Sequence, residues 1–161
     1  MNPYSMEFEQ EAAATGRLLQ RVPEERLPWR PHQKSMSLGE LALHVATIPA
    51  SVAELLGGDG VEAASLLVHP EARSVSEIGQ AWERTLATTR ALLSSTGDDH
   101  EPWSIRKGGQ PALTIPKGAA RRMLMLNHWY HHRGQLTVYL RLLDVPVPSV
   151  YGASADENPF A

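Results

Sequence analysis

Apolar residues in this chain recur at helical spacing, and no stretch sustains the period-2 alternation of a half-buried strand. The pattern predicts four helices, over 4–21, 37–56, 74–95 and 117–143. The first carries Tyr4, Phe8, Ala12, Leu18 and Leu19 and stops short of Pro23. The second opens on Ser37 and Glu40, spaced as a capping box, and "GGDG" ends it. Ser74 and Glu77 repeat that signal for the third, which runs through Ile78, Trp82, Leu86 and Leu93. The fourth lies between Pro116 and Pro146. The stretches between read as loops, "TGDDHEPWSIRKGGQPALTIPKG" among them. Connections of roughly 15–20 residues are longer than an up-down bundle needs and suggest crossovers. The expected fold is all-α: one four-helix-bundle domain over 1–161 with long crossover connections, large enough to bury a core.

Composition narrows the chemistry. A net charge of −3 and no basic run argue against a nucleic-acid partner. No apolar run approaches the roughly 20 residues that span a bilayer, and the N-terminus lacks a signal-peptide pattern. A soluble cytoplasmic protein without a membrane partner is expected. There is no cysteine, so a transition-metal site would use imidazole or carboxylate.

Three of the seven histidines fall in "NHWYHHRGQ", on the fourth helix. With His128 at zero, a turn of 100° per residue puts His132 at about +40° and His131 at about −60°. Leu124, Met125, Leu136, Tyr139, Leu142 and Leu143 centre near +40°, so His132 should face the core with His128 beside it. Leu41, Ile48 and Leu55 put His44 at the border of the second helix's buried stripe, with Pro49 just beyond it. Three neutral imidazoles from two facing helices could hold one ion with positions left open. The competing reading is core histidines with ordinary hydrogen-bond partners. "HExxH" is absent because residue 129 is Trp, and so is a Glu-x-x-His pair.

The run "NHWYHHRGQLTVYLRLLDVPVPSVYG", with "MSLGELALHVATIP" upstream, strongly resembles the DinB/YfiT-like superfamily of metal-binding four-helix bundles. The resemblance extends from roughly Ser37 to Glu157 and is specific in the last 35 residues or so. It implies a divalent ion, often zinc or nickel, on His44, His128 and His132. It also implies a long crossover, "GGDGVEAASLLVHPEAR", between the second and third helices, and frequent homodimers. Some relatives of this kind use bacillithiol, mycothiol or glutathione, which makes a low-molecular-weight thiol or another small molecule the implied substrate.

His131, Gln135 and Glu40 are the candidate catalytic groups, with Gln135 and Tyr139 able to orient a ligand. Arg133, at about 140°, is expected in an ion pair or dimer contact. Leu126, Leu140 and Met123 leave the fourth helix apolar on much of its circumference, which suggests a homodimer. His32, His69 and His100 read as solvated loop residues, and Trp82, Trp103 and Trp129 as core. The expected function is a metal-dependent hydrolase or thiol S-transferase; the alternative is a non-catalytic metal-binding stress-response protein.

Overall fold

The computed structural model describes residues 2–94 and 97–160; position 95, the predicted end of the third helix, lies outside them. Helix α1 spans Pro3–Leu19. Asn2 caps it, its Oδ1 accepting the Ser5 N–H at 2.8 Å, and Pro3 sits where a missing amide costs nothing. Helix α2 spans Leu38–Leu55, with both halves of the Ser37–Glu40 capping box formed. Helix α3 spans Val75–Ser94. There Ser74 Oγ accepts the Glu77 N–H, while the Glu77 carboxylate reaches back to the Arg73 N–H instead of Ser74.

The predicted fourth helix is one continuous helical rod with a change of gauge inside it. A short α4, Lys117–Ala120, runs into a π-helical segment, Arg121–Asn127, and then into α5, His128–Leu142. The wider turn of a π segment changes the facing of everything before it relative to α5.

Helix α2 is the centre of the molecule. Leu38, Leu41, Ala42, Val45 and Ala46 are all sealed from solvent. By length and composition α2 could cross a membrane, contrary to the sequence reading, but 61% of it is buried inside the chain, as befits a core helix. Trp82, Trp103 and Trp129 join this core, as expected.

The fold is not all-α. A three-stranded sheet is formed by β1 (Gly60–Glu62), β2 (Pro102–Lys107) and β3 (Gln110–Pro116), with β1 parallel and β3 antiparallel to β2. Gly108 and Gly109 link β2 to β3 with φ of +60° and +77°, the conformation that two-residue hairpin turns demand. Most of β3 is exposed on both faces, so its sequence carries no alternation to read. Gly60 is required by close approach, because a Cβ there would stand 2.1 Å from the Ser104 carbonyl oxygen.

The apolar circumference of the fourth helix is largely used inside the chain. Leu126 and Leu140 are fully buried, whereas Met123 remains exposed. The homodimer expectation therefore keeps only its basis in the family resemblance.

Candidate metal centre

His44 from α2 meets His128 and His132 from α5, and one ligand nitrogen from each lies within 4.8 Å of the other two. Ring centroids are 5.2 Å apart for His44–His128, 4.6 Å for His44–His132 and 4.5 Å for His128–His132. All three residues are half-buried.

The two helices are held in register by a consequence of Pro49. Proline has no N–H to offer the Val45 carbonyl one turn back. The buried indole of Trp129 donates to that carbonyl instead, at 3.0 Å. A bond between the residue after His44 and the residue after His128 thus fixes the distance between the ligand-bearing turns.

The protonation pattern follows from the partners. The Gln135 side-chain oxygen lies 2.7 Å from His132 Nδ1; an oxygen only accepts, so Nδ1 carries the hydrogen and Nε2 the lone pair. The His128 amide turns to the Met123 and Met125 carbonyls at the end of the π segment. His128 Nε2 and His132 Nε2 stand 2.7 Å apart, a separation that one N–H or a shared cation could bridge. Beside them His44 Nε2 is buried without a partner. Three imidazoles that converge in this way could hold a cation, and an imidazole-only set suits zinc, nickel or copper.

Electrostatics keeps the ligands in the binding form. Burial, then repulsion from His132, His69 and His128, pushes His44 down to about 3. Burial above all takes His132 to about 4 and also lowers His128. All three are neutral at neutral pH, as ligands must be.

The remaining predicted residues divide. His131 is exposed, its ring 4.9 Å from that of His132, and it stands at the rim outside the ligand set. Gln135 reaches the His132 ring and can fix its orientation. Glu40 is withdrawn from any catalytic role: its carboxylate accepts the Ser37 N–H at 2.6 Å and lies 3.6 Å from Arg30. Tyr139 turns away, donating to the Met36 carbonyl at 3.2 Å. Arg133 forms its expected ion pair, with Glu11 of the same chain.

His69 corrects the sequence reading most sharply. It is not solvated but packs edge-on against His44 at 4.6 Å, half-buried, from the connection between α2 and α3. A histidine in a polar, proline-flanked loop gave no periodic signal by which to place it.

A cleft of about 360 Å³ opens against His44 and His128. Its walls are Thr47, Ile48, Leu55, Trp103 and Leu124, roofed by Leu66 and Val68 of the crossover, and no carboxylate or cationic side chain lines it. A larger cavity of about 700 Å³, beside Phe8 and Arg90 between α1 and α3, contains none of the histidines.

Known proteins resemble this chain along nearly its whole length. The model of the DinB family matches residues 3–158. The uncharacterised protein YrdA of Bacillus subtilis is 29% identical over 151 residues, covering 93% of this chain and 87% of that protein. Among solved structures, a DinB-like protein from Bacillus cereus ATCC 10987 superposes with a TM-score of 0.72 at 23% identity, over 92% of this chain and 95% of the other. The DinB-like protein YjoA of Bacillus subtilis gives 0.68 at 19% identity, over 89% and 93%. At these identities the structural matches speak for the fold.

Proposed function

Because this chain belongs to the DinB family, we propose that it is a divalent-metal-dependent enzyme, a hydrolase or thiol S-transferase, with His44, His128 and His132 as ligands of a zinc or nickel ion. The observation that carries this reading is the cleft, which exposes two of the three ligand residues to a small molecule. A purely structural ion would be closed off.

When bound, the ion supplies Lewis acidity, lowering the pKa of a coordinated water or thiol into the neutral range. Everything else is the work of the side chains. Gln135 holds His132 in the tautomer that presents Nε2. Trp129 and Val45 set the spacing of the ligand turns. Ile48, Leu55, Leu66 and Val68 exclude water and select an uncharged, largely apolar substrate portion. His131, exposed beside His132, can take up the proton released on whichever ring nitrogen bears no hydrogen.

The withdrawal of Glu40 favours the second reading, a non-catalytic metal-binding protein, since no carboxylate base faces the cleft. Screening tag-free, metal-loaded protein against activated esters, amides and thiol–acceptor pairs decides between the two. Turnover that disappears in His132→Ala supports the enzyme; rates indifferent to that substitution sink it. The homodimer implied by the resemblance belongs to this reading, and a monomer by sedimentation at micromolar concentration would remove it.

A further inference from the structure

The connection between α2 and α3 carries a fourth imidazole to the centre. His69 packs edge-on against His44 with ring centroids 4.6 Å apart. Its Nδ1 is buried and has no hydrogen-bond partner, and neither has the neighbouring His44 Nε2. Two adjoining imidazole rings thus each carry a buried nitrogen that makes no hydrogen bond. Such orphans cost free energy unless something shared satisfies both.

His69 is held in place from both directions along the chain. Ahead of it, β1 pairs with β2, and the Glu62 carboxylate accepts the Gly108 and Gly109 N–H groups at 3.2 and 2.8 Å. Behind it, Pro70 restricts residue 69 to extended backbone. Glu71 then accepts the Ser37 hydroxyl at 2.5 Å, and Ala72 is buried with its carbonyl oxygen 3.2 Å from where a Cβ on Gly39 would lie. Both ends of the crossover are therefore tied to the α2 and sheet framework, and the segment between them places His69 over the ligand set.

We propose that His69 is a fourth, exchangeable protein ligand, which closes the ion's open position in the resting protein and yields it to substrate. The inference rests on the three-histidine metal reading above. His69 adjoins His44 but is not among the three residues whose ligand atoms fall within 4.8 Å of one another, so the crossover must move inward for it to complete the set. Its loop also roofs the cleft through Leu66 and Val68, so displacement of His69 and entry of substrate are one movement.

The test is X-ray absorption spectroscopy on tag-free, zinc-loaded protein, which counts imidazoles by their outer-shell scattering. Four are expected in the wild type and three in His69→Ala and His69→Gln. Zinc affinity should fall at least about tenfold in both variants. Millimolar imidazole should restore the four-imidazole signal in His69→Ala. Three imidazoles in the wild type, with zinc affinity unmoved by either substitution, overturns the proposal. The wild-type count decides the matter even if a variant folds poorly, and melting of the metal-free variants shows whether they do. A wild type that takes up no zinc would instead refute the three-histidine centre itself, and His69 with it.

Discussion

Helix α5 carries two polar clusters on neighbouring faces, and they differ in whether their needs are met. Arg133 is 2% exposed, yet its guanidinium donates to the Glu11 carboxylate at 2.5 Å, the Glu11 carbonyl at 3.1 Å, Thr15 Oγ1 at 3.2 Å and the Tyr151 hydroxyl at 2.5 Å. It also lies over the faces of Trp129, Tyr130 and Tyr151. His132, one residue earlier, belongs to a cluster in which His44 Nε2 and His69 Nδ1 have no partner. A satisfied buried cluster holds a fold together; an unsatisfied one is waiting for a ligand.

The largest effect should come from the unsatisfied side. His44→Ala, His128→Ala and His132→Ala are each expected to abolish tight zinc binding, read by metal content after dialysis. Each should leave the metal-free fold intact by circular dichroism. Arg133→Ala should do the reverse. It strands the Glu11 carboxylate, only 15% exposed, and breaking such a pair costs about 3–5 kcal/mol. Chemical denaturation should show that loss, with zinc stoichiometry preserved if the protein still folds. A variant of either class that lost both properties equally would erase the distinction.

That distinction was only partly legible in the sequence. The order of facing on α5 was right: His132 and His128 face inward and His131 is exposed. The centre of the buried stripe was misplaced. Trp129, Leu136, Leu140 and Arg133 are the buried residues, so the stripe centres nearer +100° than +40°. Leu142, counted as core, is 57% exposed. The ligands therefore sit on the flank of the core, where a cleft can reach them. The arginine was expected in an ion pair or a dimer contact, and the ion pair it forms lies inside the chain, where a fully partnered guanidinium can lie deep. Two errors share one cause. The sheet and His69 were missed because neither announces itself by period. Strand β1 has three residues, β3 is exposed, and His69 is placed by contacts at both ends of its loop rather than by a pattern within it.

Between these extremes lies the link that ties the two clusters together. Trp129→Phe keeps one aromatic ring but removes the pyrrole half of the indole with its N–H, leaving the Val45 carbonyl unpaired and a small void in a buried site. An unsatisfied group of this kind costs about 1–3 kcal/mol. Zinc affinity should weaken as well, because the spacing of His44 and His128 loses its fastener. A stability loss with unchanged affinity would show that Trp129 packs the core without positioning the ligands.

The pH dependence of the metal-free protein sharpens the same contrast. His44 and His132 titrate near 3 and 4 in the folded chain, against about 6.5 when unfolded. Between those values the unfolded chain binds more protons, so stability is full above about pH 6.5 and declines as pH falls toward 4. Replacing His44 by Leu should flatten that decline in denaturation measured across the window. An unaltered slope would assign the effect elsewhere.

The smallest effect on metal binding is expected at His131, and it isolates the geometry most cleanly. His131 and His132 are adjacent, and His131 stands at i, i+3 from His128, a spacing that can bring two side chains together on a helix. Chemistry alone cannot choose between them. Facing does: His131 lies about 100° around the helix from His132, exposed to solvent, with its ring 4.9 Å from its neighbour's. His131→Ala should leave zinc content and affinity within about twofold of wild type, a change of roughly 0.4 kcal/mol on the scale where tenfold is 1.4 kcal/mol. If the protein turns over a substrate, the same variant should instead slow it and alter its pH profile, because His131 is an exposed imidazole in contact with His132. Metal lost from His131→Ala and retained by His132→Ala would mean that α5 presents the other histidine, and the facing argument would fall with it.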